Sequence, residues 1–313
     1  MPQGTVLGQF LFLLYINDIT NSIHLSKIKL FADDSNLFVV SDNLHNLFNI
    51  ANSELSFLSQ WIRANKLYIN YDKTNYMIFE PSRPKHPLKA PASVCNTSLL
   101  FDGHALSQVH SIKYLGLFID DKLSWHDHVN YLSSKVSSLT GILYRVKNFL
   151  PMNAKRNIYF ALIYSILIYC VEVYANVSKC TLHPLIIKCN RLLRMIQQKP
   201  RRVSLYDLYS TFDTLPIDLL FEFYTGKFIH KCLWNRSSIP SILSDYFLQG
   251  TSLHTYDTRH KKNFLIQPKF SPKSILFYGP LMWSKLPINL QNNPSLNSFL
   301  NDYKLHLLNR IKV

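Results

Sequence analysis

Two adjacent carboxylates, Asp33 and Asp34, lie between two short runs of apolar and β-prone residues, 28–32 and 35–40. This pattern predicts a β-hairpin with both aspartates at its tip. Neighbouring side chains on a strand point to opposite faces, so the two carboxylates are not equivalent and we expect one to reach the working face. Paired carboxylates bind hard divalent cations, but acidic residues also serve simply as turn formers. The residues alone leave both interpretations open.

The segments around this hairpin predict helices and further strands. Residues 6–19 are apolar and follow a short loop, which is typical of a helix entry. Apolar residues from Leu44 to Ile62 recur at steps of three and four, which predicts an amphipathic helix with Asp42 or Asn43 as its N-cap. Residues 67–70 and 76–79 predict a second pair of strands. The alternation favours an α+β fold, in which an antiparallel sheet is backed by helices.

The remainder of the chain changes character twice. Four prolines between Pro81 and Pro91 mark a break, and residues 101–104 form a hairpin-turn signal. Residues 109–119 are β-prone, with Gly116 allowing a bend. From Trp125 onward helical periods dominate, ending in a helix near 295–311. We therefore predict three parts: a β-containing part at 1–120, a helical part at 121–235 and a basic C-terminal part at 236–313.

Charge is distributed unevenly along the 313 residues, of which 47% are hydrophobic and 17% charged. This composition excludes the disordered class. The net charge is +15, and residues 1–80 carry five Lys/Arg against seven Asp/Glu while the rest carry 29 against 12. A carboxylate-bearing first part joined to a strongly basic remainder favours a polyanion as partner, with a generic basic surface as the alternative.

The five cysteines form no C-x-x-C pair and show no zinc spacing, and the start of the chain lacks a signal-peptide pattern. We expect reduced thiols in an intracellular protein of the cytoplasm or nucleus, not a secreted one. Residues 158–175 are long and apolar enough to suggest a membrane span. Glu172 and four tyrosines spread through this run favour a buried helix instead, and no membrane partner.

Several motifs, taken in order, resemble those of non-LTR (LINE-like) retrotransposon reverse transcriptases. Phe31-Ala32-Asp33-Asp34 resembles the catalytic hairpin of this family. Before the hairpin, the matching segments are Pro2–Gly8 and Leu11–Asp18. After it, they are Asn65–Phe79, Lys113–Gly116 with Leu123–His128, and Tyr278–Trp283 with Leu286-Pro287. The resemblance covers nearly the whole chain. It implies a partial reverse-transcriptase palm, a mainly α-helical thumb and a C-terminal extension.

The resemblance also implies the roles of the two aspartates. Asp33 would bind Mg²⁺ or Mn²⁺, and Asp34 would support it, in a two-metal nucleotidyl transfer. The family places another metal-binding aspartate on a strand upstream of Pro2-Gln3-Gly4, and neither Asp18 nor Asp72 matches that position. We therefore expect a truncated RNA-directed DNA polymerase that is inactive alone, because the fingers and the upstream palm strand would be needed for activity.

Other residues take roles by the same resemblance. Gln3 and Gly4 would line the pocket for the incoming dNTP, and Lys73 would lie near the departing pyrophosphate. Tyr114, Leu115 and Gly116 would form the primer grip. Each has a structural alternative: an ordinary turn for Gln3 and Gly4, a solvated strand edge for Lys73, and core packing for Tyr114 and Leu115.

Two acid-free basic clusters suit a nucleic-acid backbone, although solvated charged faces are the alternative. The first contains Lys188, Arg191, Arg194, Lys199, Arg201 and Arg202, and the second includes Arg259, Lys261 and Lys262. His126 and His128 lack a third metal ligand nearby, which favours a helix-start or surface role. The expected partners are an RNA template, a DNA primer and dNTPs. The alternative function is a non-catalytic nucleic-acid-binding remnant of the element.

Overall fold

The computed structural model describes residues 6–80, 98–244, 246–247 and 274–312. The chain divides into two compact units. The first comprises Met1–Ile112 with Asp120–Leu123, and the second comprises Lys113–Ile119 with Ser124–Val313. Each contains its own cluster of buried apolar side chains. The predicted α+β class is confirmed, with short strands early in the chain and helices after them.

The first unit begins with a helix, a hairpin and a long helix. These are α1 (Val6–Ile16), a 3-10 turn (Asn17–Ser22), β1 (Lys27–Phe31), β2 (Asp34–Phe38) and α2 (Leu44–Ala64). Helix α2 is amphipathic as predicted and buries Phe48, Ala51, Leu55 and Leu58. The Asn43 side chain accepts a hydrogen bond of 2.7 Å from the Asn46 amide, so Asn43 is the N-cap.

The remaining strands of this unit are short. They are β3 (Asn75–Tyr76), β4 (Leu100–Phe101), β5 (His104–Ala105) and β6 (Ser107–Gln108). Strands β4 and β5 pair antiparallel around the predicted turn, whereas β3 pairs parallel with β6. The predicted strand pair at 67–70 and 76–79 is wrong: residues 67–70 form no strand, and a 3-10 turn (Tyr71–Lys73) follows them. A β-prone segment becomes a strand only where another strand is available to pair with it. Here β3 pairs with β6, so residues 67–70 are not its partner.

The predicted β-prone segment with its bend at Gly116 forms a hairpin, β7 (Ser111–Tyr114) and β8 (Leu117–Asp120). Helices follow from residue 126, as expected from the periodicity. They are α3 (His126–Val146), α4 (Met152–Ile158), α5 (Ser165–Ile168), α6 (Val171–Tyr174), α7 (Lys179–Gln197), α8 (Leu205–Phe212), α9 (Ile217–Trp234), α10 (Ser241–Ser244), α11 (Ile275–Ser284), α12 (Ile288–Gln291) and α13 (Leu296–Asn309).

The apolar run at 158–175 is not one continuous helix, and it buries one side while Leu162, Tyr169 and Val173 remain about half exposed. A π-helical stretch (Tyr159–Tyr164) joins α4 to α5, and Cys170, in the left-handed region at φ 53°, separates α5 from α6. Ile163, Leu167 and Val171 from this run lie in the core of the second unit. Among the residues that the structure describes, none of the helices has the length and apolarity to cross a membrane.

The core of the second unit lies between long helices. Helix α7 packs on α3, while α9 packs on α11 and α13. The α9–α13 contact requires a glycine: a Cβ added at Gly226 would lie 2.5 Å from Cε1 of the buried Tyr303 ring. This close approach of a helix backbone to an aromatic ring fixes the position of the final helix.

Candidate functional site

The hairpin that carries the two aspartates has the predicted geometry. Strands β1 and β2 pair antiparallel, and Phe31 opposite Asp34 is the last pair before the turn. Ala32 and Asp33 are therefore the two turn residues, and Ala32 adopts a positive φ of 51° at the first turn position, as two-residue hairpin loops require. Asp33 lies at the tip and Asp34 is the first residue of β2. Both are exposed.

The two faces of this hairpin differ. Ile28, Leu30 and Leu37 pack against the core of the first unit. Residues that pair across an antiparallel ladder share a face, so Asp34 lies with Phe31 on the opposite, outward face, where Phe31 is 60% exposed. Asp34 is thus fixed on the solvent face by strand register, while Asp33 projects from the turn. The non-equivalence predicted from strand alternation is present.

A buried carboxylate, Glu54 on α2, fixes the segment that leads into β1. Its side chain is fully buried and accepts hydrogen bonds from the amides of His24 at 3.1 Å and Leu25 at 2.9 Å. Buried charge is tolerated when such donors satisfy it. Sequence reasoning missed this residue. The available signal was an acid on the apolar face of α2, three residues after Ala51 and four before Leu58.

Lys73 is exposed at the end of the 3-10 turn Tyr71–Lys73. The turn is held by the β4–β5 loop: the Tyr71 hydroxyl donates to Asp102 Oδ2 at 2.9 Å, and the Tyr71 ring stacks on His104 at 4.0 Å. Asp102 also accepts from Ser59 and pairs with Arg63 of α2. None of the described hydrogen bonds or ion pairs joins Lys73 to Asp33 or Asp34, so its predicted role remains a prediction.

The predicted primer-grip residues form the β7–β8 turn. Leu115 and Gly116 occupy its two central positions with φ of 44° and 85°. Two consecutive positive φ values define a turn of type I′, which favours glycine at its second position. Tyr114 and Leu115 are half-buried, whereas Gly116 is exposed. A backbone turn presented to solvent is compatible with a contact to a ligand.

The first basic cluster separates into two kinds of residue. Lys188 Nζ donates to the Ser133 carbonyl at 3.1 Å, and Lys199 Nζ donates to the Asp207 carbonyl and to Thr211 Oγ1, each at 2.7 Å. These two lysines bind other parts of the protein. The arginines of the cluster are free of such carbonyl contacts among the described residues: Arg191, Arg201 and Arg202 are exposed, and Arg194 is half-buried.

Some of the remaining predicted site residues lie in parts of the chain that the structure does not describe, and the two histidines differ in burial. Gln3, Gly4, Arg259, Lys261 and Lys262 lie outside the described residues. His126 begins α3 and is exposed, as expected, but His128 is buried and not at the surface. Helical periodicity turns His128 toward the core, where burial lowers its pKa to about 4 and its ring meets Tyr174 edge-on at 4.7 Å.

Comparisons with known proteins agree with this geometry. Residues 1–119, which contain the carboxylate hairpin, match the family model for reverse transcriptase (RNA-dependent DNA polymerase). Over 257 residues the chain is 23% identical to a Drosophila melanogaster protein described as "Probable RNA-directed DNA polymerase from transposon BS", covering 77% of the chain and 27% of that protein. No solved structure matches the chain significantly.

Two further relatives come from other mobile elements. The RNA-directed DNA polymerase from mobile element jockey of Drosophila melanogaster is 23% identical over 64% of the chain and 22% of its own length. The Pol polyprotein from type-1 retrotransposable element R1 of Bradysia coprophila is 24% identical over 46% of the chain and 14% of its own length. The chain thus spans about a quarter or less of these relatives. The predicted resemblance is confirmed: the first 119 residues match the reverse-transcriptase family model, and the chain is similar to polymerases of non-LTR mobile elements.

Reverse transcriptases use divalent metal ions such as Mg²⁺ and Mn²⁺, which proteins hold through several oxygen donors. Within the described ranges, no group of three or more His, Cys, Asp and Glu side chains is placed to hold a metal. Asp33 and Asp34 offer exposed carboxylate oxygens, the hard donors that these ions prefer. They fit such an ion as part of a donor set that other groups must complete.

Proposed function

We propose that this chain is the palm-and-thumb portion of an RNA-directed DNA polymerase, which binds an RNA template paired with a DNA primer. The observation that carries the proposal is the hairpin tip, where Asp33 and Asp34 are both exposed within the segment that matches reverse transcriptases. Asp33 on the turn and Asp34 on the solvent face of β2 take no part in core packing. Their carboxylate oxygens are donors that a divalent cation prefers.

In this proposal Asp33 and Asp34 hold Mg²⁺ or Mn²⁺, which when bound neutralises phosphate charge and activates the primer hydroxyl. Lys73 stabilises the departing pyrophosphate, and Gln3 with Gly4 lines the dNTP pocket. The β7–β8 turn contacts the primer end. Exposed Arg191, Arg201 and Arg202, together with Arg259, Lys261 and Lys262, bind backbone phosphates.

We also propose that the segment is inactive on its own. No third acidic side chain joins Asp33 and Asp34 among the described residues, so the pair would bind a metal weakly and orient it poorly. Activity would require a further carboxylate and the fingers of the polymerase from elsewhere. The setting we propose is intracellular, which is supported by the free thiols of the four described cysteines.

A second candidate, a nucleic-acid-binding remnant without catalysis, is favoured by the net charge of +15 and the exposed arginines beside α7. The two candidates predict the same binding behaviour. They differ only in whether Asp33 supports nucleotide incorporation.

Primer extension on an RNA template, with Mg²⁺ or Mn²⁺, tests the proposed inactivity. The same assay with the fingers and upstream palm strand of a relative supplied in trans separates the candidates, because only the first predicts Asp33-dependent incorporation there. The full chain is compared with Asp33→Ala and with Asp42→Ala, a matched acidic control outside the hairpin. We expect no incorporation by any of the three and retained hybrid binding. Incorporation that Asp33→Ala alone abolishes would establish a working metal site and overturn the proposed inactivity.

Salt titration of hybrid binding tests the basic surface. Each phosphate contact adds about 0.7 to 0.9 to the slope of log affinity against log salt. Replacing Arg191, Arg201 and Arg202 by Gln should reduce that slope by about 2 to 3, and Lys179→Gln, which removes an exposed cation at the other end of α7, should leave it nearly unchanged. Equal slopes in all variants would exclude this surface from binding.

A further inference from the structure

The β7–β8 turn is an unfavourable conformation that requires support. Leu115 adopts a φ of 44°, in the left-handed region where the Cβ of an ordinary residue is crowded. Glycine is the preferred residue at such positions, and only the second turn residue, Gly116, is one. Strained backbone persists where surrounding contacts hold it in place.

Tyr169 supplies that contact from the helical part of the same unit. Its hydroxyl donates a hydrogen bond of 2.7 Å to the Leu115 carbonyl. Its ring also lies against the second turn residue, because a Cβ added to Gly116 would be 3.1 Å from Tyr169 Cε1. One side chain therefore touches both central residues of the turn, by a directional bond to one and by close packing on the other.

The position of Tyr169 depends on a break between two helices. Helix α5 ends at Ile168, Tyr169 has extended torsions with ψ of 110°, and Cys170 is left-handed before α6 begins at Val171. The flanking residues Leu167 and Val171 are buried in the core, and the Tyr174 hydroxyl donates to the Leu167 carbonyl at 2.5 Å. The core thus fixes both sides of the break, and Tyr169 projects outward from it.

Stability alone does not account for this arrangement. The Tyr169 side chain is 50% exposed, so its burial contributes little of the hydrophobic stabilisation that a core tyrosine gives. Yet the chain adopts left-handed torsions at Cys170 and at Leu115 to bring the two segments together. Such torsions cluster at sites where a fixed backbone geometry serves a function.

We propose that Tyr169 is a positioning residue for the primer grip: it holds the Leu115–Gly116 turn in the conformation that meets the 3′ end of a DNA primer paired with RNA. The inference rests on the proposed function, which assigns the primer end to this turn. It adds a residue that lies outside the segment resembling the primer grip, 54 positions away in sequence from Leu115. It also explains Gly116, because a side chain there would press against the Tyr169 ring.

Tyr169→Phe, Tyr169→Ala and the matched control Tyr144→Phe, an exposed tyrosine of α3, test the proposal in the full chain. Two RNA/DNA hybrids serve as probes, one with a recessed primer 3′ end and one blunt throughout. Loss of one hydrogen bond corresponds to about a fivefold change. We expect Tyr169→Phe to weaken recessed-end binding about fivefold, to leave blunt-hybrid binding unchanged and to lower the melting temperature by at most about 2 to 4 °C. Tyr169→Ala should weaken recessed-end binding further.

Amide hydrogen exchange of residues 113–119 supplies an independent readout. Tyr169→Phe should accelerate exchange in this segment, and Tyr144→Phe should not. Unchanged exchange, or equal weakening of both hybrids, would overturn the positioning role. Accelerated exchange in a protein that shows no preference for the recessed end would support the contact with the turn and overturn the primer-grip assignment, so the two failures are distinguishable.

Discussion

The two units bury their apolar side chains to different extents. In the second unit Leu185, Ile163 and Phe299 are completely buried, whereas the core residue Leu55 of the first unit keeps 7% exposure. Helix α1 is apolar on all sides, but Leu13 and Leu14 remain 54% and 59% exposed. Because stabilisation scales with apolar area removed from water, the helical unit has the stronger core. The carboxylate hairpin belongs to the unit with the weaker core.

The largest expected effect is in the helical core. Leu185→Ala should destabilise the protein by about 3 to 5 kcal/mol, because it leaves a cavity between tightly packed helices. Leu55→Ala should cost about 2 to 3 kcal/mol, since its surroundings can relax toward solvent. Chemical denaturation, monitored by hydrogen exchange in α7 for Leu185→Ala and in α2 for Leu55→Ala, measures the two losses of stability. Ile187→Ala, at a half-exposed position of α7, is the control and should cost less than about 1 kcal/mol. Equal costs for the two core variants would contradict the comparison.

An intermediate effect comes from pH. The buried ring of His128 has its pKa lowered to about 4 by desolvation, so between pH 6.5 and about 4 the unfolded chain binds a proton that the folded chain does not. Stability of the helical unit should therefore fall as pH falls through this window, by on the order of 2 kcal/mol.

Denaturation midpoints across pH 4 to 7 measure this dependence. His128→Phe keeps the ring contact with Tyr174 and removes the titrating group, so the pH slope should flatten. His126→Gln, at the exposed first residue of α3, serves as the control. A slope that His128→Phe leaves unaltered would assign the dependence to other groups.

The smallest effect on stability is expected at the exposed face of α1. Replacing Leu13 and Leu14 by Gln should change the free energy of unfolding by about 1 kcal/mol or less, because more than half of each side chain is already exposed. It should, however, reduce self-association of the chain, which exposed apolar surface promotes. Sedimentation velocity measures the association, and Ile16→Gln, at a buried position of the same helix, should instead destabilise the fold. Unchanged association in the double variant would show that this face is inert.

Local patterns predicted much of the local structure. The aspartate pair between two β-prone runs identified the β1–β2 hairpin, and apolar spacing identified α2 and limited its cap to Asp42 or Asn43, of which the structure has Asn43. These features depend on interactions within a few residues, which is why sequence contains them. The strand prediction at 67–70 was wrong for the complementary reason, because a strand depends on a partner that local sequence does not name.

The basic cluster around α7 likewise divides into what the sequence predicted and what only the structure revealed. Composition alone indicated a basic second part, but it did not separate Lys188 and Lys199, which donate to carbonyl groups of the protein, from the exposed Arg191 and Arg201. All four suit phosphate binding by residue type. Only the path of the chain decides which positive charges already have internal acceptors.

The sequence by itself determined the β1–β2 hairpin with its carboxylates, most of the helices and the resemblance to reverse transcriptases, because each is written in residues close together along the chain. Tertiary structure alone decided that Glu54 anchors the segment before β1 and that Tyr169 meets the Leu115–Gly116 turn. Each of these depends on segments distant in sequence being brought within hydrogen-bonding or van der Waals distance. No spacing pattern records such an encounter, since it arises from the packing of whole elements.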